Sequence, residues 1–209
     1  MMFARPKSKW DLLDDEEDET DGEGSNAIEV PPDMTYIESN IKRQMATYDK
    51  LYEIGGQDII NDVYVRAEGE KEWWLVGKVA RVSDVTTEQA IERQWPLIER
   101  HIWALRLPIR PLSNLSNPFE VWYAPGNTEY DAVRNDPKIK FTKCSGVISY
   151  GGSEVKKELV GFVGKVYMGG NDDPMIYVER NMDGTVLENQ YCEGDWVLKS
   201  DLSDRPSAA

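Results

Sequence analysis

The side chains of this 209-residue chain best suited to nucleophilic or metal chemistry are one histidine and two cysteines. His101 falls one position before the apolar Ile102 in a helical pattern. A catalytic histidine needs an orienting carboxylate and a nucleophile, and no local signature supplies either, so a boundary or surface histidine is expected. Cys144 and Cys192 fall in separate strand-like runs. A reactive thiolate wants a basic or helix-N-terminal setting, so both are expected to be small buried residues, with a pair across the sheet as the alternative. So few cysteines and histidines exclude a cysteine-cluster zinc site and a disulfide scaffold. Gly161-Phe162-Val163-Gly164-Lys165-Val166 has the residue types of a phosphate loop but not its spacing, and Val166 stands where a hydroxyl should hold magnesium. Asn171-Asp172-Asp173 lacks the spaced oxygens and closing glutamate of a calcium loop and reads as a solvated turn. No catalytic, metal or cofactor-binding residue is assigned, and no cofactor is expected.

Composition excludes some classes of function without naming one. Lys and Arg number 24 against 38 Asp and Glu, a formal charge of −14, which repels a nucleic-acid backbone rather than neutralising it. No apolar run approaches the roughly 20 residues needed to span a bilayer. Residues 11–23 carry nine acids in thirteen positions. A run so charged repels itself and buries nothing, so it is expected to be disordered when free. Trp10, Leu12 and Leu13 lie beside Asp14, Asp15, Glu16 and Glu17. A tail that served solubility alone would not need them, so an arm that docks on a basic surface is the functional expectation. There are seven tryptophans. In the adjacent pair Trp73 and Trp74, strand alternation turns one toward solvent, the other layer or a partner, so an exposed Trp73 or Trp74 is a candidate contact.

These residues need elements to position them. A helix is expected from near Asp33, with Ile37, Ile41, Met45, Tyr48 and Tyr52 on one face and Gly55-Gly56 as its stop. Runs at 63–65 and 73–82, separated by Glu68-Gly69-Glu70-Lys71, make a hairpin. Thr86 and Gln89 form a capping-box pattern, followed by the apolar stripe Ile91, Trp95, Ile98, Ile102 and Leu105. Pro96 inside that stripe predicts a kink or a break, and Pro108 and Pro111 end the segment. Residues 119–124 read as a strand, and 128–137 as irregular or one short helical turn. Further strands are expected near 139–143, 147–150, 159–168, 175–180, 186–191 and 196–199, with a hairpin at Asp183-Gly184. The words V-G-K-V at 76–79 and 163–166 suggest either a duplicated strand or, through their glycines, bulges in a coiling sheet.

The expected fold is α+β: an antiparallel, mostly meandering sheet with two helices packed on it, preceded by a disordered acidic tail. Residues 1–32 form the flexible arm, 33–200 a single domain and 201–209 a C-terminal tail.

The block 72–108, EWWLVGKVARVSDVTTEQAIERQWPLIERHIWALRLP, is similar to a segment of plastid proteins of algae and plants. In it a W-x-V-G-K-V-A-R strand precedes an E-Q-A-x-x-R-Q-W-P-L-I-E helix. The matching residues are Trp74, 76–81, 88–90 and 93–99, within a block that spans less than a fifth of the chain. With the acidic charge and β-rich second half, the chain resembles the diatom-type accessory subunit on the stromal face of photosystem I. Phe3-Ala4-Arg5-Pro6 is similar to the start of diatom plastid transit sequences, although no Ser-rich, acid-poor transit peptide follows and a trimmed chain is the simpler account.

That resemblance implies a non-catalytic, peripheral subunit in the chloroplast stroma, bound to the photosystem core and its extrinsic stromal subunits and holding no chlorophyll. An assembly or protective factor for thylakoid complexes is the first alternative. A small ligand-binding or enzymatic domain is the second.

Overall fold

The computed structural model describes residues 30–109, 119–145, 154–166 and 176–187. The acidic arm with Trp10, Leu12, Leu13, Asp14, Asp15, Glu16 and Glu17 lies outside them. So do Cys192, the Asn171-Asp172-Asp173 turn and the strands expected at 147–150 and 196–199.

Antiparallel pairing organises the described chain. A 3-10 turn at Pro32–Met34 leads into α1, Glu38–Gly55. The hairpin follows as β1, Ile60–Arg66, and β2, Glu72–Arg81. Gly69 takes the positive φ of its turn. Then come α2 (Thr87–Leu105), β3 (Glu120–Pro125) and α3 (Glu129–Val133). The last strands are β4 (Thr142–Lys143), β5 (Val160–Gly164) and β6 (Tyr177–Glu179). The sheet runs β4-β3-β1-β2-β5, with β6 also on β2. The fold is therefore the expected α+β arrangement, an antiparallel sheet with two main helices.

The two V-G-K-V words meet. Gly77 of β2 pairs with Gly164 of β5, and the β1–β2 register slips beside Gly77, where Val63 faces Gly77 and Tyr64 faces Leu75. Of the two expectations for these glycines, the bulge describes what happens here. It changes the phase of β2, so that Trp74, Val76 and Val79 all point into one core. A Cβ on Gly77 would stand 2.4 Å from the carbonyl oxygen of Val163, so only glycine fits at this crossing.

One sheet face is covered by α2. Its start is the expected box: Thr86 accepts from the Gln89 amide at 3.2 Å, and the Gln89 side chain accepts from the Thr86 amide at 2.9 Å. Ile91, Trp95, Ile98 and Ile102 are buried against Val63, Val65, Trp74 and Val121. Burying each such side chain contributes on the order of 2 kcal/mol. Pro96 does not break the helix, which continues through it to Leu105 and ends at Arg106 in the left-handed conformation. Extensive burial of the stripe on both sides of Pro96 offsets the one hydrogen bond that proline removes.

The opposite face is covered too, and this corrects the expectation for the tryptophan pair. Trp73 is fully buried and Trp74 nearly so. Trp74 packs in the α2 core, stacked on Tyr177 with ring centres 5.1 Å apart. Trp73 packs with Trp122 and Phe141 beneath the Arg66 guanidinium, which lies 4.5 Å from its ring. Strand alternation holds, but both directions lead into protein, so neither ring is an exposed contact. The strand expected at 139–143 is only Thr142–Lys143, and the segment expected at 159–168 forms a strand over Val160–Gly164. The Asp183-Gly184 turn forms, with the Gly184 amide donating to Asn181 at 2.8 Å. Of the strand expected at 186–191, residues 186 and 187 are not in a strand and the rest lie outside the described residues.

Candidate functional site

Helix α1 lies across β5 with an unexpected face inward. The residues it buries are Asn40, Gln44, Tyr48 and Leu51. Of the expected stripe only Tyr48 is among them; Ile41 is half-buried, while Ile37, Met45 and Tyr52 are 48%, 41% and 44% exposed. Polar side chains go inward because each finds partners there, as a buried polar group must. The Asn40 amide donates to the carbonyls of Pro32 (3.0 Å) and Thr35 (2.9 Å) and its oxygen accepts from Arg43. Gln44 accepts from the Gln94 amide of α2 at 2.8 Å. Gly161 lets the helix come close: a Cβ there would stand 2.4 Å from the Tyr48 amide nitrogen.

This rotation leaves an apolar groove where α1, α2 and β5 meet. Its volume is ≈ 70 Å³, and Ile41, Met45, Leu97, Phe162 and Val166 line it beside His101 and Tyr36. His101 is buried rather than superficial. Its Nε2 faces the Lys165 carbonyl at 2.8 Å, which only accepts, so Nε2 carries the proton. Nδ1 then accepts from the Tyr36 hydroxyl at 2.8 Å. Burial holds the imidazole below its ordinary pKa, against the pull of the Lys165 carbonyl. The ring sits where a Gly164 Cβ would be, 2.5 Å from Nε2. His101 is thus a neutral strut with both nitrogens engaged, and it forms one wall of the groove.

A second cluster lies on the other sheet face. Asp62 is fully buried and accepts from the backbone amides of Asn127 and Thr128, each at 3.0 Å. Lys78 reaches Glu129 at 2.9 Å, the Asn127 side-chain oxygen at 2.6 Å and Asp62 at 3.6 Å. Burial, with the nearby Glu129, pushes the Asp62 carboxyl up to about 6 despite Lys78 and the amides. Every partner of Asp62 belongs to the turn between β3 and α3 or to β2, so the cluster clamps that turn. Asp62 and Glu129 are far apart in sequence, and no local pattern announces the pair.

The remaining candidates resolve simply. Cys144 is half-buried, and burial pushes its thiol up to about 12, the opposite of a reactive thiolate. Gly161–Gly164 lies within β5 and its flank, not at a strand-to-helix turn. Among the described residues, no group of three or more His, Cys, Asp and Glu is placed to hold a metal. No helix among them is long and apolar enough to cross a membrane. Of the side chains proposed for partner contact, the structure describes only Trp73 and Trp74, both interior. Of the residues expected on one face of α1, the structure leaves Ile37, Met45 and Tyr52 outward and Ile41 half-buried.

Comparisons with family models, with curated proteins and with solved structures find no match.

Proposed function

We propose that the protein is a non-catalytic, peripheral subunit that binds a photosynthetic membrane complex, photosystem I, at its stromal face in the chloroplast. Its partners are the photosystem core and the extrinsic stromal subunits. The observation that carries the binding part of this reading is the apolar stripe of α1, formed by the exposed Ile37, Met45 and Tyr52 with the half-buried Ile41. A helix that buries amides and exposes this stripe has a surface suited to a second protein. The photosystem itself comes from the resemblance of residues 72–108. Those words mostly serve the fold: Trp74, Val76, Val79, Trp95 and Ile98 are core, Gln89 completes the capping box of Thr86, and Arg93 pairs with Asp33 at 2.6 Å. They therefore support a shared fold more directly than a shared contact.

The test is native particle size. Thylakoid membranes of the source are solubilised gently at low salt and separated on a density gradient, and this chain is located by mass spectrometry; the run is repeated at high salt. Comigration with photosystem I, weakened by salt, supports an electrostatically assisted subunit. Abundance near that of the core subunits indicates a fixed subunit, whereas a substoichiometric chain on incomplete particles indicates an assembly factor. Migration as a free protein at both salt concentrations overturns the reading.

A further inference from the structure

We infer that the groove between α1, α2 and β5 receives a basic amphipathic helix of a partner protein, with one aliphatic side chain entering beside His101. The inference names the contact that the proposed binding function requires, and rests on that reading for its biological setting.

The geometry comes first. The outward stripe runs from Ile37 to Tyr52, about 22 Å at 1.5 Å per residue, which matches some four turns of a partner helix lying along α1. Apolar positions recurring at helical spacing are what a helix-in-groove contact uses. Met45 sits on this stripe and also lines the groove, so stripe and cavity are one surface. Leu97 and Phe162 are buried beneath it, and Val166 is 55% exposed at its edge. A volume of ≈ 70 Å³ has room for one aliphatic side chain. The polar atoms of His101 and Tyr36 are bonded to one another and to Lys165, so an apolar group can cover them without leaving them unsatisfied.

Charge decides what kind of helix. On α1, Glu38, Asp49 and Glu53 are exposed, and helical spacing places them along the solvent side of the stripe. Lys42 lies among them, paired with Glu38. An apolar seam bordered by carboxylates, on a chain of net charge −14, complements an apolar face flanked by Lys and Arg. A neutral or acidic helix would leave those carboxylates facing apolar surface or like charge.

The test uses the full chain and three 14-residue peptides: a Leu/Lys amphipathic helix, its Leu/Glu counterpart and a Ser/Lys counterpart. Binding is read by titration calorimetry and by the methyl resonances of the methionines. The Leu/Lys peptide should bind, the other two at least about tenfold more weakly, the step that 1.4 kcal/mol produces. The Met45 methyl should shift while that of Met34, fully buried, stays still. Ile41→Ser with Met45→Ser leaves the charge unchanged and should weaken Leu/Lys binding about tenfold or more. Asp49→Lys with Glu53→Lys should weaken it too, and it disturbs no buried residue. Equal binding of the Leu/Lys and Ser/Lys peptides, or no loss in the Ile41/Met45 variant, would mean that general acidity is responsible and overturns the inference. If the inference falls while the wild-type chain still comigrates with photosystem I, the subunit reading stands and its contact lies elsewhere. If the peptide binds at Met45 and the chain migrates free of the photosystem, the groove stands and the photosystem reading falls.

Discussion

Gln44 and Gln94 face each other across the α1–α2 contact, the Gln94 amide donating to the Gln44 oxygen at 2.8 Å. Both side chains are almost wholly buried. This one bond helps fix the rotation of α1, and with it which residues look outward. Gln44→Leu leaves the Gln94 amide with only its longer, 3.4 Å bond to the Val160 carbonyl, and Gln94→Leu strands the Gln44 oxygen. Each single change should cost about 1–3 kcal/mol, the range for an unsatisfied buried polar group. The double change removes both needs and should recover most of that loss. Urea unfolding of the four chains measures the coupling. Additive losses would mean that the amides do not act as a pair.

Gly161 sets how close α1 can lie. A Cβ there would stand 2.4 Å from the Tyr48 amide nitrogen and 2.6 Å from its Cα. The obstacle is helix backbone, not a side-chain tip, so α1 as a whole must move. Gly161→Ala should cost roughly 1–3 kcal/mol, as overpacking does. For a domain of this size that lowers Tm by about 2–4 °C per kcal/mol. Thermal melts check it, and an unchanged or raised Tm would show that α1 has slack over β5.

What the sequence made legible was local. The capping box of Thr86 and Gln89, the stripe from Ile91 to Ile102 and the hairpin turn at Gly69 each depend on neighbours a few positions away, and each formed where expected. What it hid depended on distant partners. The face of α1 was misassigned because Gln44 is satisfied by Gln94, fifty residues on, and because Asn40 bonds to the carbonyls of Pro32 and Thr35 only once the 3-10 turn has formed. An exposed Trp73 or Trp74 was the expectation, and what it missed is the cover over Trp73, which consists of Trp122 and Phe141 from later segments with Arg66 from the neighbouring strand. The groove followed from the same misassignment, since it exists only if Met45 and Ile41 are outside the core.

His101 links Tyr36, ahead of α1, to the end of β5, and its neutral state is the one that fits. Burial holds its pKa below 6.5 in the folded chain. The unfolded chain therefore takes up a proton first as pH falls, and folding loses stability on going down through this range. The contribution is complete above about pH 6.5. His101→Gln keeps a donor for the Lys165 carbonyl but cannot titrate. Between pH 7 and 5 the variant should lose less stability than wild type, the difference in slope being at most about 1.4 kcal/mol per pH unit. Comparing the two chains cancels the titration of other groups, including Asp62. Parallel curves would mean that His101 accepts a proton without disturbing its two hydrogen bonds.

Lys78 holds together two carboxylates that would otherwise repel. It lies 3.6 Å from the fully buried Asp62 and 2.9 Å from Glu129. Lys78→Met keeps the stem but removes the cation. Breaking a buried pair by deleting one partner typically costs about 3–5 kcal/mol, and that is the loss expected at pH 7. The loss should depend on pH in a definite sense. In the folded chain Asp62 already has its carboxyl pushed up to about 6 by burial and Glu129, above its unfolded value near 4. A raised folded pKa means that folding retains a proton the unfolded chain has released. Its stabilising share is full below about pH 4 and is lost as pH rises through 6. Without Lys78 the folded pKa rises further, so protonation can relieve the buried charge at a higher pH. Urea unfolding of both chains at pH 7 and pH 5 should therefore find a clearly smaller deficit for Lys78→Met at pH 5. The same deficit at both values would mean that Lys78 contributes through the packing of its stem and its bond to Asn127, not through its charge.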